Sequence, residues 1–325
     1  MNVKSTWLVA ALLLMVGTVS AEETKPAAPA AAAPAVVLNV GDAAPAFKGT
    51  DDQGKAWDST EHVGKNYTVI YFYPADFTGG CIKQAETFRD TMNQLTELGV
   101  TVIGVSGDSV KNHELFKAAW TLKHTLLADE EGEVAKVLGV PASKGGQVMP
   151  FGPDRKPLLN EAGEKFRIER KASFARWTFL IGPNGKVLYK NTKVNPGDDA
   201  KKVLEFIQQD KAVTEIRNRG GRVEVDEQNP ERPVVSVELA GCRFKGEDLV
   251  LLGSLPHVKT IRLGENATDA SSVFFTGLRQ VETLEMQSAR IKGPGLANLK
   301  GLKNLRTLNL ESSDVDDAGL VYLKE

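Results

Sequence analysis

The chain has 325 residues, more than one ordinary hydrophobic core accommodates, so its length predicts two domains. Its formal net charge is −2 with 25% charged residues, a balance that gives no basis for nucleic acid or an anionic membrane surface as a partner. Two cysteines, Cys81 and Cys242, are too few for a disulfide scaffold, although a single bridge between them stays open.

The first residues have the pattern of a secretory signal peptide. Lys4 supplies a positive start, an apolar run follows from Trp7 to Val16, and Val19-Ser20-Ala21 has the small residues of a cleavage site. We therefore expect residues 1–21 to be removed and the protein to be exported, to the periplasm or outside the cell; the alternative is an uncleaved anchor. Residues 22–35, rich in Ala and Pro, predict a flexible linker, and no later segment is apolar enough to span a membrane.

Residues 36–210 alternate strand-like and helix-like patterns, which predicts an α/β domain. Apolar residues at three- and four-residue steps from Ile82 predict a helix that ends at Gly99. The polar stretch Gly145–Arg170 is typical of a long loop near a functional site. The other predicted elements are strands at Val69–Tyr73 and Val100–Val105, helices at Val110–Leu122, Glu133–Leu138 and Val203–Ile207, and a hairpin that pairs Trp177–Ile181 with Val187–Tyr189.

Residues 211–325 contain four copies of a leucine-rich pattern, with apolar residues at the first, fourth and sixth places and a special ninth place. The copies begin 23 or 24 residues apart, at Val234, Val258, Val281 and Leu305. We expect a small solenoid in which a helical half follows each strand, with residues 211–232 capping the open first coil.

Cys81 is expected in the first turn of a helix, directly after the strand Val69–Tyr73. Backbone N–H groups and the positive end of the helix dipole point at such a position and stabilise a thiolate, the nucleophilic form of cysteine. Thr78 lies about one helical turn earlier, so its hydroxyl can face the sulfur. Pro74 ends the strand and shields the pocket. These residue types at this spacing predict a reactive cysteine.

Arg176 completes the predicted site. It precedes the strand Trp177–Ile181, which in an α/β sheet can lie beside the strand that leads to the cysteine. Thiol-based peroxide reduction needs a positive group beside the thiolate, and arginine keeps its charge throughout such a reaction.

Two motifs resemble those of the peroxiredoxin family. Pro74, Thr78 and Cys81 match its signature of Pro, three residues, Thr, two residues, Cys. Arg176, two residues before the Thr of Thr178–Ile181, resembles the family's second motif. The similarity spans residues 36 to 210 and is to the AhpC/TSA superfamily, in particular its bacterioferritin-comigratory-protein subgroup.

The resemblance implies a thioredoxin-like fold and the reduction of hydrogen peroxide and organic hydroperoxides. Cys81 would attack the peroxide and become a sulfenic acid. Thr78 and Arg176 would hold the peroxide, and Pro74 would shield the intermediate. No cofactor or metal is implied, and the four histidines have no metal-ligand spacing.

Two departures from the subgroup affect the expected mechanism. Many members carry a second cysteine five residues after the first, and here Glu86 occupies that place. Gly79 stands where proline is common, so the helix start is less pre-organised. We therefore expect a one-cysteine mechanism, in which an external thiol, either a thioredoxin-like protein or a small thiol, reduces the sulfenic acid.

Cys242 has two interpretations. It can serve as the missing resolving thiol, or it can have a structural role at the ninth place of its repeat, which Asn266, Ala289 and Ser313 fill in the other copies. We favour the structural role, because buried thiols of this kind are usually inert.

Two other functions compete with that of a peroxidase. The chain can be a non-catalytic binding or scaffold protein whose repeats hold a protein partner on their inner strand face. It can also be a thiol–disulfide oxidoreductase, but that chemistry needs a Cys-x-x-Cys pair, and Thr78 occupies the first cysteine's place.

Overall fold

A computed structural model of the protein describes residues 37–229 and 232–324. The expected signal peptide and linker lie outside the described residues. Within the described ranges, no helix has the length and apolar character that a membrane crossing requires.

A seven-stranded mixed sheet forms the centre of the N-terminal part, which confirms the predicted α/β class. Its strand order is β2-β1-β5-β4-β3-β8-β9, with β3, β4 and β5 parallel and the outer strands antiparallel to their neighbours. The strands are β1 (Lys48–Asp51), β2 (Ala56–Asp58), β3 (Thr68–Phe72), β4 (Thr101–Ser106), β5 (Thr125–Ala128), β8 (Trp177–Ile181) and β9 (Val187–Asn191).

Strand β3 is buried along its whole length and divides two hydrophobic layers. Successive side chains of a strand point to opposite faces, so Val69 and Tyr71 enter one layer while Ile70 and Phe72 enter the other. Helices cover both faces, which explains why the strand is a continuous apolar run without polar alternation. The helices of the N-terminal part are α1 (Ser59–His62), α2 (Gly79–Glu97), α3 (Val110–Trp120), α4 (Glu133–Val137) and α5 (Asp199–Asn218). One further helix, α6 (Asp317–Leu320), lies in the C-terminal part.

Helix α5 runs through the predicted domain boundary between residues 210 and 211, so the chain has no linker there. Its first half, including Val203 and Ile207, packs in the layer beside α2. Its second half, including Val213 and Ile216, packs in the core of the C-terminal part. One helix therefore belongs to both hydrophobic cores, and it contains the predicted helical segment Val203–Ile207.

The stretch predicted as a long loop, Gly145–Arg170, is bordered by a two-stranded antiparallel ribbon, β6 (Ala142–Val148) paired with β7 (Ile168–Phe174). Both strands reach into the predicted loop, so the loop assignment was wrong at its ends. The physical reason is that β6 is largely exposed on both faces and carries Lys144, Gly145 and Gly146, so its sequence lacks the apolar alternation that indicates a strand.

The C-terminal part contains a five-stranded sheet in the order β10-β11-β12-β13-β14. The strands β11 to β14 are parallel, and their register aligns Ser236, Thr260, Thr283 and Thr307. That register has the period of the predicted repeats. The strands are β10 (Arg222–Val225), which pairs antiparallel with β11, then β11 (Val234–Glu238), β12 (Thr260–Leu263), β13 (Thr283–Met286) and β14 (Thr307–Asn309).

The connections between these parallel strands are 3-10 helices, at Gly246–Ser254, Ser271–Phe275 and Pro294–Gly301. The helical half predicted for each of these connections is therefore a 3-10 helix. A 3-10 turn rises more per residue than an α-helix, so it spans a short return path with fewer residues. Leu249, Leu252 and Leu296, which lie in these 3-10 helices, are fully buried in the C-terminal core.

A buried histidine lies against the central strand. His124 Nε2 lies 2.7 Å from the hydroxyl of Tyr71, and both residues are enclosed. Burial raises the pKa of Tyr71 well above its usual value, so the hydroxyl stays protonated, and a hydrogen bond joins it to the imidazole. Burial, with a smaller effect from Lys117, lowers the pKa of His124 to about 3.

The substitution His124→Gln should make unfolding less sensitive to acid. Since the folded pKa of His124 lies below the unfolded value of about 6.5, only the unfolded chain takes up this proton as pH falls from there towards 3. Between pH 7 and pH 5 this costs the native protein about 2 kcal/mol, a loss that the glutamine variant lacks. Urea unfolding at both pH values measures it, and equal losses in the two proteins would contradict a neutral buried His124.

Candidate active site

Cys81 is the third residue of helix α2 and is 1% exposed. The strand β3 ends at Phe72, and the intervening segment turns the chain so that α2 begins above the end of the sheet. The sulfur therefore lies in the first turn of a helix, as predicted. The first-turn N–H groups lack partners within a helix and carry partial positive charge, which favours an anionic sulfur.

Thr78 is the N-cap residue of α2, but its side chain has a different use from an ordinary cap. Among its described contacts there is no side-chain bond to the backbone of α2. Its hydroxyl instead lies 2.8 Å from Cys81 Sγ and 3.2 Å from the carbonyl oxygen of Ala75. A hydroxyl has one proton and two lone pairs, so it can donate to a thiolate or accept from a thiol.

Arg176 reaches the sulfur from the neighbouring strand. Strands β3 and β8 pair antiparallel with Phe72 opposite Trp177, which places Arg176 beside the segment that leads to α2. Its Nη2 donates to Cys81 Sγ at 3.2 Å, across 95 residues of sequence. The half-buried guanidinium is the positive group that the sequence predicted for the thiolate.

Sequence reasoning missed three polar residues behind Arg176. The other end of the guanidinium, Nη1, donates to Gln84 Oε1 at 2.5 Å. Gln84 Nε2 donates to Asp199 Oδ2 at 2.7 Å, and the Thr178 hydroxyl donates to the same oxygen at 2.7 Å. All three side chains behind the arginine are buried. A buried Gln within an otherwise apolar helix face was the available signal, since buried polar groups require partners.

The segment between β3 and α2 is held in an uncommon backbone conformation. Phe77 has a φ of 57° and is fully buried, with its ring 5.1 Å from that of Phe116. A bulky residue in the left-handed region is strained by about 1–3 kcal/mol and persists because its surroundings hold it. Pro74 is fixed from the ribbon side, where the Ser173 hydroxyl donates to its carbonyl oxygen at 3.0 Å.

Asp76 fastens the same segment to the protein interior. It accepts from the Tyr73 hydroxyl at 2.8 Å and pairs with His113 Nδ1 at 2.8 Å, and its backbone N–H donates to Asp108 Oδ2 at 2.9 Å. Ser106 also donates to Asp108. The active-site segment therefore rests on a buried network, and its geometry does not depend on surface contacts.

The charges of this network adjust to one another. Burial, and to a smaller extent Asp76, raises the pKa of Asp108 to about 6. Burial alone would lower the pKa of His113, but the carboxylates of Asp76 and Asp108 outweigh it and raise the pKa. The raised pKa of His113 favours an imidazolium, which lies against Asp76 through Nδ1.

The remaining predicted residues lie apart from this site. Cys242 packs partly buried against the C-terminal core, donates to the Ala240 carbonyl oxygen at 3.6 Å, and has a pKa raised chiefly by burial. Glu86 forms an ion pair with Arg89 at 3.5 Å. Over residues 37–229 and 232–324, no group of three or more His, Cys, Asp or Glu side chains is arranged to hold a metal ion.

The chain is similar to known proteins over its N-terminal half. The AhpC/TSA family model matches residues 40–190. Chloroplastic peroxiredoxin Q of Suaeda salsa is 34% identical over 172 residues, which cover 53% of this chain and 68% of the relative. Chloroplastic peroxiredoxin Q of Arabidopsis thaliana is 44% identical over 171 residues, covering 52% and 67%.

A solved structure, peroxidoxin BcpB from Mycobacterium tuberculosis, is 26% identical to the chain. The match covers 53% of this chain and 97% of that one, with a TM-score of 0.42.

Gly80→Ala should slow the alkylation of Cys81 severalfold at neutral pH. An added Cβ would lie 3.3 Å from Arg176 Nη2, so the guanidinium would have to move away from the sulfur by a few tenths of an ångström. Gly79→Ala is the matched control, because its Cβ would meet nothing within 4 Å. Both changes favour the helix by up to about 1 kcal/mol. Alkylation of Cys81, followed by peptide mass spectrometry, measures the effect. Equal rates in the two variants would contradict this prediction, because they would show that the added Cβ does not displace Arg176 from the sulfur.

Proposed function

The chain belongs to the AhpC/TSA family of thiol-dependent peroxidases, and from that premise we propose that Cys81 reduces hydrogen peroxide and organic hydroperoxides. The mixed α/β sheet is the thioredoxin-like fold of that family. Thr78, Arg176 and Pro74 assist Cys81 in this proposal. The observation that carries it is that two donors from separate elements converge on one buried sulfur, at 2.8 Å and 3.2 Å.

The first step of the proposed reaction is nucleophilic. The Cys81 thiolate attacks one oxygen of the peroxide, so an S–O bond forms while the O–O bond breaks. The sulfur loses two electrons and becomes a sulfenic acid. The second peroxide oxygen takes up a proton, equivalent to the one that the thiol released on forming the thiolate, and leaves as water or an alcohol. The guanidinium of Arg176 and the hydroxyl of Thr78 hold the peroxide oxygens and stabilise the charge that develops on them.

The second step needs an external reductant in this proposal. A thiol attacks the sulfenic acid, giving a mixed disulfide and water, and a further thiol releases Cys81 and leaves as the oxidised disulfide. A one-cysteine cycle is supported by Glu86, which stands five residues after Cys81 and is paired with Arg89. The raised pKa of Cys242 also supports it, because fewer thiolates are then present at neutral pH.

The assembled site argues against the alternative of a binding protein without turnover. A protein without turnover gives no reason to hold a half-buried arginine against a sulfur, since withdrawing that charge even partly from water is costly. Arg176 is held by Gln84 on one side and contacts Sγ on the other. We therefore rank the peroxidase first.

We propose that residues 211–325 form a leucine-rich-repeat solenoid. Parallel strands at 23- or 24-residue intervals support this, as do the apolar residues at the first, fourth and sixth places, which are buried in the first three copies and partly buried in the fourth. At the ninth place, Asn266 donates to the carbonyl oxygen of Leu239 in the preceding coil and accepts from Gly264 of its own coil. Such bonds would join neighbouring coils.

We also propose that the protein works outside the cytoplasm, in the periplasm or beyond, after removal of residues 1–21. The pattern from Lys4 to Ala21 supports export. In that setting the solenoid can tether the enzyme or bind a protein partner through its polar strand face, which includes Thr260, Arg262 and Glu285.

Substituting the two cysteines separately tests the proposal. Cys81→Ser should abolish peroxide consumption with a thiol reductant, because the serine hydroxyl is a far weaker nucleophile. Cys242→Ser should retain activity within about twofold, since this thiol lies in the other core.

Peroxide consumption by the two purified variants and the parent protein is the measurement. Activity that survives in Cys81→Ser would refute the proposal that Cys81 is the nucleophile. An equal loss in both variants would instead identify Cys242 as the resolving thiol and replace the one-cysteine cycle.

A further inference from the structure

We propose that Asp199 is a positioning residue for the peroxidase site, which it serves by fixing which end of the Gln84 amide faces Arg176. The proposal rests on the function assigned above. Asp199 touches neither the sulfur nor Arg176 through any described hydrogen bond, so it acts through Gln84.

An amide side chain has two ends of similar shape and opposite chemistry. Arg176 can only donate hydrogen bonds, so it is held only if Gln84 presents its oxygen. With the NH₂ group turned towards Arg176, two donors would face each other at the distance of 2.5 Å that now separates Nη1 from Oε1. The position of the guanidinium at Cys81 Sγ therefore depends on the orientation of this amide.

Asp199 supplies the acceptor that decides the orientation. Its Oδ2 accepts from Gln84 Nε2 and from the Thr178 hydroxyl, each at 2.7 Å. Since this oxygen is already an acceptor for Thr178, the end of the amide that meets it must be the NH₂ group. The Gln84 oxygen is then directed at the arginine. Both Gln84 and Asp199 are fully buried, so water does not replace either partner.

Arg176 is the donor at the centre of this polar chain: it donates to the sulfur on one side and to Gln84 on the other, and Gln84 in turn donates to Asp199. Asp199 is also the first residue of α5, and Thr178 lies in β8, the strand that follows Arg176. The orientation of the amide is therefore set by two elements that are fixed in the main fold.

Two substitutions, made separately and together, test this. Asp199→Ala removes the acceptor and lets the amide turn, so Cys81 should react more slowly with peroxide and with a haloacetamide, by about tenfold, the size of one hydrogen bond to a charged group. Gln84→Glu presents oxygen whichever way it turns and needs no orienting acceptor.

In the Asp199→Ala background, Gln84→Glu should restore most of the lost rate. In the otherwise native chain the same change should leave the rate nearly unchanged, because two buried carboxyl groups at the present 2.7 Å contact share one proton and Glu at position 84 still presents an oxygen to Arg176. A merely structural role for Asp199 does not predict that a substitution of Gln84 rescues its loss. Asp198→Ala is the matched control: its carboxylate contacts Asn195 at 3.5 Å and should leave the rate unchanged.

The measurements use the full chain carrying Cys242→Ser, so that Cys81 is the one thiol, with urea unfolding to report folding. Failure of Gln84→Glu to rescue Asp199→Ala would overturn the proposal. If Asp199→Ala alone does not fold, the double variant is compared with Gln84→Glu: equal rates would support the proposal, and a much slower double variant would overturn it. Haloacetamide rates stay informative even if the parent protein does not reduce peroxide, so failure of the assigned function is seen separately.

Discussion

A guanidinium that is partly buried beside a sulfur also needs acceptors for its other buried N–H groups, because an unpartnered buried charge is costly. In this protein Cys81 Sγ satisfies one end of Arg176 and Gln84 satisfies the other. The antiparallel pairing of β3 with β8 brings the two halves of the site together. Most of the surrounding architecture can be understood as the support that this contact requires.

Support comes from both sides of the sulfur. On one side, the segment that holds Thr78 is strained at Phe77 and is fastened by Asp76 to buried histidine and tyrosine side chains. On the other side, β8 and α5 supply the groups that hold Gln84. Helix α5 begins at Asp199, which accepts from Gln84, and continues into the C-terminal core. Packing in the C-terminal part therefore helps to fix the position of Asp199.

The sequence was sufficient for the parts of the site that follow local rules. A three-residue spacing in a helix start placed Thr78 next to Cys81, and a strand that begins after Arg176 predicted its approach to the cysteine. Gln84 and Asp199 were not predicted. Their contacts depend on which face of α2 meets the start of α5, and that is decided by tertiary packing rather than by spacing along the chain.

The errors in the fold have similar causes. The boundary predicted after residue 210 falls inside α5, because the two ends of this helix, near Val203 and Ile216, bury residues in different cores. The ribbon was missed because β6 is exposed and rich in glycine and lysine. In contrast, the period predicted for the C-terminal part agrees with the structure, since parallel pairing aligns Ser236, Thr260, Thr283 and Thr307 at intervals of 23 or 24 residues.

Mass spectrometry of the intact protein after one equivalent of peroxide, without added thiol, tests the central claim most directly. The account predicts a single added oxygen on Cys81, which a sulfenic-acid reagent traps, with Cys242 unmodified. A Cys81–Cys242 disulfide, or an unmodified Cys81 in protein that has consumed peroxide, would contradict it.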